Sequence, residues 1–187
     1  MRKRIIFINS WPLSITVGSG AAFFAKGLYT QLENRGEDIG IITLDNSFRN
    51  YHFYLIKRIF FNILLNFRTR FRNEIILGFD FDGFCLFSRS NYFIALPRGI
   101  FAAIVSYEKG LYYISLKIQE FLEKINLRRA NAVIVSSQYA KKKVVDLYKI
   151  DIGKVMIIPN GFDLDAWKNY LSRQPLEKRF KKRILGV

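Results

Sequence analysis

The chain has 187 residues, half of them hydrophobic, and 30 basic against 15 acidic side chains give it a net charge of +15. That length and apolar content suit one domain with a sizeable core and exclude an intrinsically disordered chain. One cysteine, Cys85, and one histidine, His52, exclude an internal disulfide framework and any cluster with metal-ligand spacing, so no metal is expected and a reducing, cytoplasmic setting fits.

The first residues are basic, as in a signal peptide, but the apolar run behind them stops at Asn9 with no small-residue cleavage site. Residues 5–8 therefore read as a buried strand. The loop that follows ends in Gly18-Ser19-Gly20, ahead of a helical stretch over 21–35. Strand, glycine loop and helix can cradle a phosphate, because backbone N–H groups meet a ligand at the positive helix end, or can simply let the helix pack on the sheet. A dinucleotide fingerprint would need a third glycine where Phe23 stands, and Asp45 is its one supporting acid.

Gly36 closes the helix, and 39–44 forms the second strand. Residues 51–72 predict a helix with Phe53, Ile56, Phe60, Ile63, Leu64, Phe67 and Phe71 on one face, and with Lys57, Arg58, Arg68 and Arg72 along an adjacent stripe. Two readings stay open: a core-packed helix with a solvated basic edge, or a helix lying on an anionic membrane surface. Because Lys57 and Arg58 interrupt its apolar run, it falls short of the roughly 20 residues that a membrane span requires.

A third apolar run, 74–77, leads into Gly78-Phe79-Asp80-Phe81-Asp82-Gly83. Acids one residue apart can clip a divalent ion, but carboxylates between glycines at a strand end also form turns or accept hydrogen bonds from a ligand. Residues 92–96 give a fourth strand, then Pro97-Arg98-Gly99. Arg98 could offer a fixed guanidinium to an anion or make a surface ion pair; Glu108 could be its partner, an acid nearer a cleft, or an ordinary solvated side chain. A long amphipathic helix spans 111–129.

The most ordered pattern comes next. An apolar run (132–135), Ser136 and Ser137, a helix carrying Lys141, Lys142 and Lys143, and a second apolar run (155–158) stopped by Pro159-Asn160-Gly161 read as strand, crossover helix and strand. The two strands should be parallel neighbours, and function should lie at strand ends. Beyond Asp163 come Leu164-Asp165-Ala166-Trp167, a basic polar linker over 168–183, and the apolar residues 184–187.

This order of elements, with Gly18 and Gly20, Arg98-Gly99 and the segment RRANAVIVSSQYAKKKVVDLYKIDIGKVMIIPNGFDLDAW, resembles the N-terminal domain of family 4-like retaining glycosyltransferases over nearly the whole chain. The resemblance implies an α/β fold, a Rossmann-like parallel sheet with helices on both faces, forming the N-terminal half of a glycosyltransferase-B fold. It implies an acceptor-side domain over 1–167, an interdomain linker over 168–183, and in 184–187 the first strand of a C-terminal, donor-binding domain that is absent. Catalysis in the family is metal-independent and needs no cofactor, and the nucleotide-sugar donor is expected only with that second domain, which could act in trans.

Residue by residue, the resemblance places Gly18, Ser19 and Gly20 at the donor diphosphate and Ser136, Asn160 and Gly161 along the interdomain cleft. Asp82, Arg98 and Glu108 fall on the acceptor side. Many members carry a histidine where this chain has Arg98, so a histidine contact cannot be carried over. The expected acceptor is a sugar or a lipid-linked sugar, with Lys57, Arg58, Arg68 and Arg72 as candidates for a membrane surface and a setting at its inner face. Nucleic acid is not the expected partner. The alternative from another class is a non-catalytic basic module that binds anionic lipid or a protein.

Overall fold

The computed structural model describes residues 3–11, 20–44, 54–68, 71–86 and 91–161, together with positions 168 and 172. The element order is β1 (Ile5–Asn9), α1 (Gly20–Asn34), β2 (Ile39–Thr43), α2 (Tyr54–Arg68), β3 (Ile75–Phe79), β4 (Tyr92–Leu96), α3 (Phe101–Ile104), α4 (Gly110–Arg129), β5 (Ala132–Val135), α5 (Gln138–Tyr148) and β6 (Val155–Ile157). All six strands are parallel, in the order β2-β1-β3-β4-β5-β6. The expected α/β sheet is present, and β5 and β6 are the parallel neighbours that the spacing required.

Alternation along the strands sorts the core into two layers. Ile6 and Ile8 of β1, with Ile76, Ala95, Val133 and Val135, meet Leu65 of α2, Leu127 of α4 and Val144 and Tyr148 of α5. On the opposite face Phe7, Leu77, Phe79 and Leu96 meet α1 through Ala25, with Phe24, Leu28, Tyr29 and Leu32 packed alongside. Helices therefore cover both faces, as buried parallel strands require. Local chemistry sets the boundaries of α5: the Ser137 hydroxyl accepts from the Ala140 N–H at 3.1 Å, and Lys149 ends the helix in the left-handed region at φ 56.

Helix α2 is shorter than expected, and of the two readings left open for its apolar stripe the core-packed one does not hold. Residues 71 and 72 lie outside it, and its inward side carries Leu55, Arg58, Ile59, Asn62 and Leu65. The apolar stripe predicted from periodicity faces outward instead: Ile56, Ile63 and Leu64 are exposed, Phe60 is 59% exposed and Phe67 82%. Of that stripe, Phe71 is buried and Phe53 lies outside the described residues. Among the described residues no helix is long and apolar enough to cross a membrane.

Candidate functional site

The C-terminal ends of β1, β3 and β4 converge on a buried polar cluster, and the turn after β3 builds its centre. Gly78 allows that turn to fold back on its own strand, because a Cβ there would stand 1.9 Å from the Asp82 carbonyl oxygen. Gly83, at φ +102, lies so close to the Phe93 ring that a Cβ would come within 2.7 Å. Asp80 itself takes φ 56, a region that a short polar side chain tolerates. Its N–H donates to the Leu96 carbonyl at 3.0 Å and its carbonyl accepts from Asn126 Nδ2 at 2.8 Å.

Arg58 projects from α2 into this turn and is 1% exposed. Its guanidinium lies between the rings of Trp11 (4.6 Å) and Phe81 (4.0 Å). Nε donates to Ser10 Oγ at 2.6 Å, while Nη2 stands 3.8 Å from Asp82 Oδ1 and 3.9 Å from Asp80 Oδ2. Asp82 is fully buried and accepts from the Ser10 N–H at 2.6 Å and from Asn62 Nδ2 at 2.9 Å, with the Ser10 hydroxyl 2.7 and 2.8 Å from its two oxygens. Asp80 accepts from Trp11 Nε1 at 2.9 Å, from the Arg98 N–H at 3.1 Å and from Arg98 Nη2 at 3.0 Å.

The two acids are held differently. Burial opposes the charge on Asp80, but Arg98 and then Arg58 outweigh it and keep its carboxyl below the usual range. At Asp82 burial prevails over Arg58 and over the hydrogen bonds from Ser10 and Asn62, so its pKa is raised. Burial also lowers the pKa of Arg58 and lifts the Tyr54 hydroxyl to about 12. The described residues contain no group of three metal-ligating side chains, and both acids of the Asp-x-Asp pair are engaged by arginines and amides.

Arg98 links this cluster to a cavity of about 290 Å³ lined by Phe24, Leu96, Pro97, Arg98, Ile134, Val135, Ser136, Ile158 and Asn160. The cavity lies at the C-terminal ends of β4, β5 and β6, beside the first turns of α1. Asp80 and the Phe79 ring, 5.0 Å away, hold the Arg98 guanidinium in place. Its Nε and Nη1 are buried and have no hydrogen-bond partner among the described residues. A second cavity, about 270 Å³, opens between α2 and α4 and is lined by Trp11, Tyr54, Leu55, Arg58, Leu111, Tyr112, Ser115 and Gln119.

Behind the cluster, Glu123 of α4 is fully buried and accepts from the Phe101 N–H at 3.0 Å and from the Tyr148 hydroxyl. The Tyr148 oxygen in turn accepts from the Ala102 N–H at 3.0 Å. Burial, against the Tyr148 hydrogen bond, pushes the Glu123 carboxyl well above its ordinary value, and burial raises Tyr148 likewise.

The structure thus brings Arg98, Ser136 and Asn160 to one cavity. It places Asp82 inside the packed cluster and half-buried Glu108 outside both cavities. Exposed Gly161 follows Asn160, and Gly20 opens α1, while Gly18 and Ser19 lie outside the described residues. Of the membrane-surface candidates, Arg72 is exposed, Lys57 half-buried, Arg58 buried, and Arg68 is described only as the end of α2. Asn9, Ser10, Trp11, Tyr54, Asn62, Gln119, Glu123 and Asn126 carry no motif. Their signal is polarity at core spacing: Leu55-Arg58-Asn62-Leu65 and Leu116-Gln119-Glu123-Asn126 advance by three, four and three residues.

No curated protein matches the chain. The family model of Glycosyltransferase Family 4 matches residues 18–166, from the glycine loop to the end of the strand-helix-strand unit and beyond. With that match on a six-stranded parallel sheet, the chain belongs to Glycosyltransferase Family 4 and is a glycosyltransferase-type module with the fold of one half of a glycosyltransferase-B protein.

Proposed function

We propose that this module is the acceptor-side half of a retaining glycosyltransferase that moves a sugar from a nucleotide-sugar to a sugar or lipid-linked acceptor. The observation that carries the reading is the cavity at the ends of β4–β6, lined by Arg98, Ser136 and Asn160, with Arg98 Nε and Nη1 buried behind it and without a partner among the described residues. A guanidinium held by Asp80 is a preorganised positive charge, suited to the diphosphate of a donor or to an acid on an acceptor. It is not a base, since arginine keeps its proton at neutral pH. In this reading Asp82 braces Arg58 instead of meeting substrate, and Gly18, Ser19 and Gly20 face the diphosphate. Transfer requires a second Rossmann-like domain to hold the nucleotide-sugar, supplied in trans or by a longer chain.

The test is reconstitution. The purified chain is combined with a candidate donor-binding domain and a labelled nucleotide-sugar, and label on the acceptor is followed. Asn160→Ala and Ser136→Ala, at exposed positions, should lower the rate about tenfold without a change in Tm. Transfer by the chain alone would refute the half-site claim, and lack of transfer with every donor domain would favour the non-catalytic module.

A further inference from the structure

The outward side of α2 is the least explained surface of the molecule. Ile56, Phe60, Ile63, Leu64 and Phe67 form an unbroken apolar face on a helix that contains no acidic residue. Helix α4 extends it. Its Ile125 packs with Leu55 and Ile59 of α2 around Phe81, Phe84 and Leu122, so that edge of α4 borders α2. Phe121, Ile118 and Ile114 lie one, two and three turns back on the same side, and all three are exposed, Phe121 to 61%. A face of this size is more than the scattered apolar residues of an ordinary surface.

Two further features point to what covers it. Its flanks are cationic, with Lys57 on α2 and Lys117 and Lys124 on α4, and with exposed Arg72 and Lys109 in the segments next to the two helices; Glu120 is held by Lys117 at 2.8 Å. Apolar side chains ringed by lysine and arginine complement a bilayer with anionic head groups, which takes the aromatics below the head groups and the cations at their level. The second cavity lies between α4 and the inward side of α2, with exposed Leu111 and Tyr112 at one edge and Arg58, Ser115 and Gln119 in its polar floor. An apolar lip above a polar floor matches an amphiphile.

We infer that the α2–α4 face seats the protein on an anionic lipid surface and turns the cavity between the two helices toward the head groups. The inference goes beyond the glycosyltransferase reading and does not depend on it.

Sedimentation with lipid vesicles tests it, using roughly seven parts phosphatidylcholine to three of phosphatidylglycerol and, in parallel, phosphatidylcholine alone. The chain should pellet with the anionic vesicles, and the triple variant Phe60→Ser, Phe67→Ser, Phe121→Ser should lose affinity about tenfold or more. All three side chains are exposed, so an unchanged Tm shows that the variant still folds. Salt at about 1 M should weaken binding of the parent chain without abolishing it, because insertion is not screened. Equal sedimentation of parent and triple variant would overturn the inference, as would complete loss of parent binding at high salt. So would a parent chain that stays in the supernatant and elutes as a dimer that the triple variant breaks, since a second copy would then cover the face. Reconstituted sugar transfer with a water-soluble acceptor reads the other proposal separately.

Discussion

Arg58 shows how a buried charge is held when no single partner is ideal. Its Asp contacts are long, at 3.8 and 3.9 Å, and a short hydrogen bond to Ser10, a longer one to Gln119 and two aromatic faces surround the rest of the guanidinium. Removing one member of such a cluster leaves the others uncompensated. Arg58→Met should cost about 3–5 kcal/mol in urea unfolding, while Arg58→Met with Asp82→Asn should recover part of it. Additive losses would mean that the two residues do not interact. Glu123 gives the residue-scale pH dependence. Its pKa is raised in the fold above the ordinary 4.5, so the folded chain keeps a proton that the unfolded chain has released. The stability that it contributes is complete below pH 4.5 and is lost as pH rises toward the folded pKa. Asp80 runs the opposite way: its lowered pKa stabilises the fold above its ordinary 3.8, and that contribution is lost as pH falls through the folded value. Glu123→Gln keeps an acceptor for Phe101 and Tyr148 without the ionisation. Above pH 4.5 its stability should therefore fall less than the parent's, since the raised pKa of Asp82 acts on both, and parallel curves for the two proteins would refute this.

At the scale of elements, the segment from Gly78 to Gly83 is a strand end and a tight return in one. A Cβ at Gly78 would collide with backbone, which cannot rotate away as a side-chain tip can. Gly78→Ala should therefore lower stability by more than the roughly 1 kcal/mol usual for a point substitution, and should release the Asp82 contacts to Ser10, visible as faster amide exchange at Ser10. Unchanged exchange at Ser10 would show that the turn adapts. The two glycines and two acids of this turn stand out in the amino-acid order, but which acid meets which arginine depends on Arg58, twenty-odd residues upstream, and on Arg98, just past the end of the next strand. Periodicity likewise located α2 without orienting it. An amphipathic pattern implies an inward apolar stripe only if nothing else competes for the interior, and here Arg58 and Asn62 are drawn inward by Asp82. Strands β4 and β5 read directly, because runs of apolar residues buried on both faces and bounded by turn residues admit few alternatives.

For the whole molecule, the parallel sheet follows from strands separated by helices, and the strand-end cavity follows from the sheet. Its charge is a separate matter. With 30 basic and 15 acidic residues, at least half of the cations have no acid to pair with, so the folded chain repels itself more than the expanded unfolded chain does. Buried pairs such as Arg98 with Asp80 are screened little by salt, whereas an exposed excess of charge is screened strongly, with a Debye length of about 10 Å at 0.1 M and about 3 Å at 1 M. Raising sodium chloride from about 0.01 M to 0.5 M should therefore raise Tm, by roughly 2–4 °C for each kcal/mol of repulsion removed. The same salt loosens any attachment to anionic vesicles, so the two effects have opposite signs on one titration. A Tm that falls with salt would show that exposed ion pairs such as Arg4 with Asp38 outweigh the net repulsion.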